Sequence, residues 1–156
     1  VKGNRNQMWV NSDRYRFSSA TKVGHLAPPE NVELKPGVKL ETVLNRDKPI
    51  VQWNVINHPT GNWIFYFQHA ESGLFLAYPE TDTSGAIGFN ATLQDYNLDY
   101  NLLFVFRKGE STEKSTYAIV VYPNEKECLA YSYGDGILGQ LYVPETQSKS
   151  QLWLVK

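Results

Sequence analysis

The dipeptide Leu-Ala occurs three times in this chain, at Leu26-Ala27, Leu76-Ala77 and Leu129-Ala130, at intervals of 50 and 53 residues. The flanking residues keep step with it. Upstream of each pair lies an aromatic and β-branched run: "RYRFSSA", "NWIFYFQHA" and "STYAIVVYP". Downstream comes "VELKPGVKLE", "SGAIGFNATL" or "GILGQLYV", and then a large aromatic, Trp53, Phe104 or Trp153. These closers stand 27, 28 and 24 residues after their leucines. A period of this size marks repeated units that bury their apolar faces only against one another.

Each copy reads as about four short strands separated by turns. "KPG", "HPTGN", "SGA" and "YGDG" supply Gly, Pro, Asn and Asp where hairpins need fixed or positive φ. Helical periodicity is absent, and eight prolines discourage long helices. The fold class is therefore all-β, with twelve strands expected in three pseudo-repeats. Propeller blades usually number four or more, and a solenoid needs capping repeats. A closed barrel with threefold pseudo-symmetry, the β-trefoil, suits both length and period. Each unit gives it two barrel strands and one cap hairpin, which removes exposed edges. The three leucines and three closing aromatics become matched sets of core side chains. The domain spans residues 13–156, after an N-terminal segment, residues 1–12. Trp9 in "NQMW" marks a fourth strand end; it either finishes a preceding module or lies beside the C-terminal strand. The first residue is Val, which fits a processed start or a piece of a longer chain.

Composition narrows the function. Apolar residues make 42% of the chain, charged residues 20%, and the net charge is -1. Without a basic stripe, nucleic acid is not an expected partner. No apolar run approaches the eighteen or so residues of a membrane span, so membrane insertion is not expected. The single cysteine, Cys128, excludes an intramolecular disulfide and Cys-rich metal sites; its apolar neighbours predict a buried packing thiol. A cytoplasmic location fits, as does secretion without disulfides. His25, His58 and His69 lack metal-ligand spacing. "GDGILG", Gly134 to Gly139, spells G-x-G-x-x-G, but no βαβ unit surrounds it, so it reads as a hairpin. No nucleophile, base and oxyanion set assembles. The expectation is a non-enzyme without cofactor or metal.

The closing residues carry a resemblance. "QLW", Gln151 to Trp153, and "NQMW", Asn6 to Trp9, match the Gln-x-Trp signature that closes repeats in the ricin-B-like (R-type) β-trefoil lectins, and small fungal lectins are nearest in style. The first repeat has "VQW" and the second "LLF". The resemblance implies a sugar-binding module. Such lectins usually place Asp after the conserved Leu, where this chain has Ala27, Ala77 and Ala130. Any glycan site here must use other residues.

Tyrosines in the loops after the Leu-Ala pairs supply candidates, since an aromatic face offers wide contact at low ordering cost. In the third repeat these are Tyr131, Tyr133, Asp135, Gln140 and Tyr142; in the second, Tyr78, Glu80, Asp82 and Asn90. Glycans or glycoproteins are the expected partners. Weak single sites call for several lobes, a homodimer or a larger parent chain. A protease inhibitor is the alternative, with "RDKP" (Arg46 to Pro49) or "KGESTEKST" (Lys108 to Thr116) as its loop. A fascin-like or toxin-targeting module is another. "NAT" at Asn90 fits a glycosylation acceptor in a secreted chain.

Overall fold

A computed structural model describes residues 14–59, 63–79, 88–96, 100–108 and 115–156. The N-terminal segment with Trp9 lies outside these residues. The first repeat holds β1 (Phe17–Ser19), β2 (His25–Ala27), β3 (Glu41–Val43) and β4 (Trp53–Asn57). The second holds β5 (Ile64–His69), β6 (Phe75–Pro79), β7 (Thr92–Gln94), β8 (Tyr100–Asn101) and β9 (Leu103–Lys108). The third holds β10 (Thr116–Val121), β11 (Glu127–Ser132), β12 (Gly136–Leu141) and β13 (Trp153–Val155). The expected four strands per repeat gain one member. This is β8, two residues paired to β6 with the Asn101 amide donating to Pro79 O at 3.3 Å.

Six strands close a barrel. β4 pairs β5, β5 pairs β9, β9 pairs β10, β10 pairs β13 and β13 pairs β1. The circuit returns to β4 through Tyr15 and Trp53, whose main chains exchange two hydrogen bonds of 2.9 Å. The hairpins β2–β3, β6–β7 and β11–β12 cap one end. Their registers correspond, with Leu26 opposite Thr42, Leu76 opposite Leu93 and Leu129 opposite Gly139. This is the β-trefoil.

The cap is drawn together at its axis. Leu40 N donates to Ala91 O at 3.1 Å, Ala91 N to Ile137 O at 2.9 Å, and Ile137 N to Leu40 O at 3.2 Å. The three residues stand two positions before Thr42, Leu93 and Gly139, so the ring of bonds follows the pseudo-threefold axis. All three are buried. Each amide thereby satisfies a carbonyl that water cannot reach.

Leu26, Leu76 and Leu129, with Trp53, Phe104 and Trp153, are fully buried in one core cluster. The two tryptophans also lock their repeats: Trp53 Nε1 donates to Leu26 O at 2.9 Å and Trp153 Nε1 to Leu129 O at 3.0 Å. Phe104 has no donor; its ring stacks on Phe67 at 5.6 Å instead. The alanines are buried too, because the strand is covered on both faces. Cys128 sits in a second cluster with Val105, Ala118, Val120 and Leu152, and burial pushes its thiol up to about 12. A Trp53→Phe or Trp153→Phe variant keeps most of the packing but orphans a buried carbonyl. Each should lose about 1–3 kcal/mol in urea unfolding; no loss would show the indole N–H to be dispensable.

His69 fixes the β5–β6 turn of the second repeat and ties it to the first. Its Nε2–H donates to Ile50 O at 2.8 Å, and Nδ1 accepts from Ser72 Oγ at 2.9 Å and from the Ser72 N–H at 3.3 Å. Burial holds its pKa below the ordinary 6.5, partly offset by the Ile50 bond. The unfolded chain therefore takes up this proton first, so the contribution is full above pH 6.5 and lost as pH falls through the folded value. His25, lowered by burial and then by Arg46, Arg16 and Lys156, acts in the same direction. Urea midpoints should fall between pH 7.5 and pH 5, and fall less in a His69→Asn variant.

Candidate functional site

The third-repeat hairpin turns over Ser132–Asp135, closed by Asp135 N to Ser132 O at 3.0 Å. Gly134 and Gly136 both take positive φ, +82° and +91°. Tyr133 stands at the apex with 91% of its surface exposed. Beside it, Ser132 Oγ donates to Asp135 Oδ2 at 3.0 Å. Asn90 comes from the second repeat, forms a bridge to Leu138, and sends Nδ2 to Asp135 O at 2.7 Å. The turn is thus tied at its base to the capped axis and across to the neighbouring repeat. The arrangement presents an aromatic face with a carboxylate next to it.

The other expected site residues lie elsewhere. Tyr131 is half-buried and packs against the main core. Gln140 turns toward the C-terminal segment, its Oε1 accepting from Gln151 Nε2 at 3.0 Å. Tyr142 packs on the second core cluster, and burial raises its pKa. It stands six positions along extended strand from Gly136, roughly 20 Å at 3.3 Å per residue. Of the five residues the sequence grouped, Tyr142 therefore lies far along the hairpin from Tyr133 and Asp135, Gln140 is engaged with Gln151, and Tyr131 stands beside the turn but packs on the core.

Tyr78 is a correction. It was expected as a platform, yet it is fully buried, and its hydroxyl hydrogen-bonds the Phe89 main chain. Gly139 makes the space: a Cβ there would lie 2.2 Å from Tyr78 Oη. The ring occupies the slot of a missing side chain and has no face for a ligand. Glu80 and Asp82 lie outside the described residues. So do residues 109–114, most of the "KGESTEKST" loop. The other inhibitor candidate, "RDKP", is a closed turn. Asp47 N donates to Asn45 Oδ1 at 2.9 Å, Arg16 Nε to Arg46 O at 2.7 Å, and Lys48 pairs with Glu30.

Sequence reasoning missed a concave surface between the second and third repeats. Tyr66, Tyr96, Tyr100, Asn101, Tyr122 and Pro123 line a groove of about 240 Å³. Only "DYNLDYN", with two tyrosines four apart, hinted at it; strand pairing brings in the rest. Among the described residues, no group of three or more His, Cys, Asp or Glu side chains is placed to hold a metal ion.

Comparison with protein-family models finds no match, and no curated protein matches by sequence. Solved structures do match, over nearly the whole of both chains. The Rhizoctonia solani agglutinin superposes with a TM-score of 0.70 at 11% identity, covering 93% of this chain and 94% of that one. The designed threefold-symmetric protein ThreeFoil gives 0.71 at 17% identity, covering 91% and 96%. SeviL bound to asialo-GM1 saccharide gives 0.62 at 12% identity, covering 92% and 95%. The shared fold is the β-trefoil. Identity this low carries the architecture alone, and the repeats of this chain reproduce it.

The turn geometry is open to test. A Cβ on Gly136 would meet Leu40 O at 2.7 Å, whereas one on Gly134 meets nothing within 4 Å. Both substitutions carry the strain of positive φ; only Gly136→Ala also pushes on the axial ring. Its melting temperature should fall clearly further than that of Gly134→Ala. Equal losses would mean that the close approach to Leu40 is not a constraint.

Proposed function

We propose that this protein is a non-catalytic glycan-binding module that reads its ligand with the third-repeat tip. The observation that carries the reading is Tyr133, a ring 91% exposed on a turn held from both sides. Such a ring stacks on the C–H face of a sugar, and the turn beneath it is already ordered by the fold. The Asp135 carboxylate lies in position to accept sugar hydroxyls, and Asn90 sets the turn that presents it. The fold shared with SeviL, which was solved with asialo-GM1 saccharide, supports the ligand class. With Ala27, Ala77 and Ala130 buried, recognition falls to the turns. One shallow platform binds weakly, so avidity comes from a second site, a homodimer or a larger parent chain.

A glycan array that includes asialo-GM1 saccharide, run on the whole chain, tests the reading. Tyr133→Ala with Asp135→Ala should lower signal at least about tenfold, equivalent to 1.4 kcal/mol, and leave the thermal transition within a few degrees. Undiminished binding in that variant would remove the tip assignment. Silence across the array in the unaltered protein would remove the glycan reading.

A further inference from the structure

We infer that the tyrosine-lined groove between the second and third repeats is a separate ligand site, built to take one neutral pyranose ring. The proposal rests on the glycan reading for its ligand class, but on different residues. Four elements converge to make the groove. Tyr66 on β5 lies opposite Leu103 on β9. Tyr122, just after β10, donates its N–H to Leu103 O at 3.0 Å. Tyr100 and Asn101 form β8, anchored to β6. Tyr96 follows β7 and leans on two rings, with centroids 6.0 Å from Tyr66 and 6.2 Å from Phe75.

The bracing fixes a platform that is not hidden. Tyr96 keeps 60% of its surface exposed although two neighbours hold its orientation. Tyr66, Tyr100 and Tyr122 are half-buried. A cluster serving only to pack the barrel would turn such rings into the core, as Phe67 and Phe104 are turned.

The lining selects the chemistry. The described lining is aromatic and amide in character, with tyrosine rings beside the Asn101 amide. The Tyr66 phenol stays neutral; burial and the hydrogen bond to Tyr96 push it up to about 12. An alkyl chain would cover phenol hydroxyls and the Asn101 amide without replacing their bonds to water, a loss of about 1–3 kcal/mol for each group left unpaired. A sugar offers what the groove complements: an apolar C–H face for the rings and hydroxyls for the polar edges. Size sets the extent. About 240 Å³ lies below the roughly 300–1,000 Å³ of clefts for drug-sized ligands, which points to a single ring.

Saturation-transfer NMR on the whole chain decides between ligand classes. The probes are the methyl glycosides of galactose, glucose, mannose and N-acetylglucosamine, with tetramethylammonium as a cation and cyclohexanol as an apolar ring, each at about 10 mM, above the millimolar affinity of a weak site. At least one glycoside should give signal that falls about tenfold in Tyr96→Ala with Tyr100→Ala. The same signal should persist in Tyr133→Ala with Asp135→Ala. Tyr122→Trp fills the groove without removing packing; it should also abolish the signal, and it decides the matter if the double variant unfolds. The groove assignment is overturned if only tetramethylammonium or cyclohexanol binds, if no probe binds, or if glycoside signal survives the folded groove variants. Glycoside signal lost only in the Tyr133 and Asp135 variant would keep the tip and discard the groove.

Discussion

At the centre of the cap, Leu40, Ala91 and Ile137 pass a hydrogen bond from each repeat to the next. A ring of three main-chain bonds demands three equivalent backbones arriving at one height, so it makes the repeats depend on each other. It lies where solvent is absent, and breaking one bond would leave a donor and an acceptor buried and unpaired. The hairpins that carry Tyr133 and Asn90 spring from this ring. Gly136, one residue before Ile137, must pass so near Leu40 O that no side chain fits. The exposed tip therefore stands on closely constrained backbone.

The second constraint lies in the barrel, where the repeats are alike without being equal. Trp53 and Trp153 each tie a closing strand to the leucine carbonyl of their own repeat. Phe104 cannot. The second repeat answers with aromatic packing: Phe67 lies 5.6 Å from Phe104 and 5.4 Å from Phe106, and Phe65 lies 5.4 Å from Phe106. Non-directional packing replaces a directional bond there. The repeat with the looser closure also holds the extra strand β8 and most of the tyrosine groove. Departure from symmetry and the opening of a surface coincide.

These two constraints explain what could be read in the sequence. Leu26, Leu76 and Leu129 and their closing aromatics were legible because a threefold core needs the same bulk at the same depth three times. Tyr78 was not. It follows Ala77 in a stretch that resembles a loop start, and only Gly139, sixty-one residues on in the chain, shows that the ring has a slot to fill. Gln140 and Tyr142 were grouped with Tyr133 because they are near in sequence, yet strand extension carries them to the other end of the hairpin. Asn90 was chosen as a ligand contact. Its position beside Asp135 follows from an inter-repeat hydrogen bond that no local pattern encodes. The groove escaped for the same reason, since its tyrosines meet only through the pairings of β5, β8 and β9.

The burial of Ala27, Ala77 and Ala130 decides where recognition can occur. In a framework that carried a carboxylate after each leucine, a polar group would emerge from the strand itself, beside the conserved core. Here the strand is closed on both sides, and a charge at any of those positions would be buried without a partner at a cost of several kcal/mol. The proposed recognition is accordingly placed outward, on turns whose side chains are not needed for packing. Tyr133 meets that condition fully and Tyr96 largely. Side chains on such surfaces can be exchanged without disturbing the barrel, so the fold alone does not set a ligand; exposed side chains and the backbone that aims them must do so.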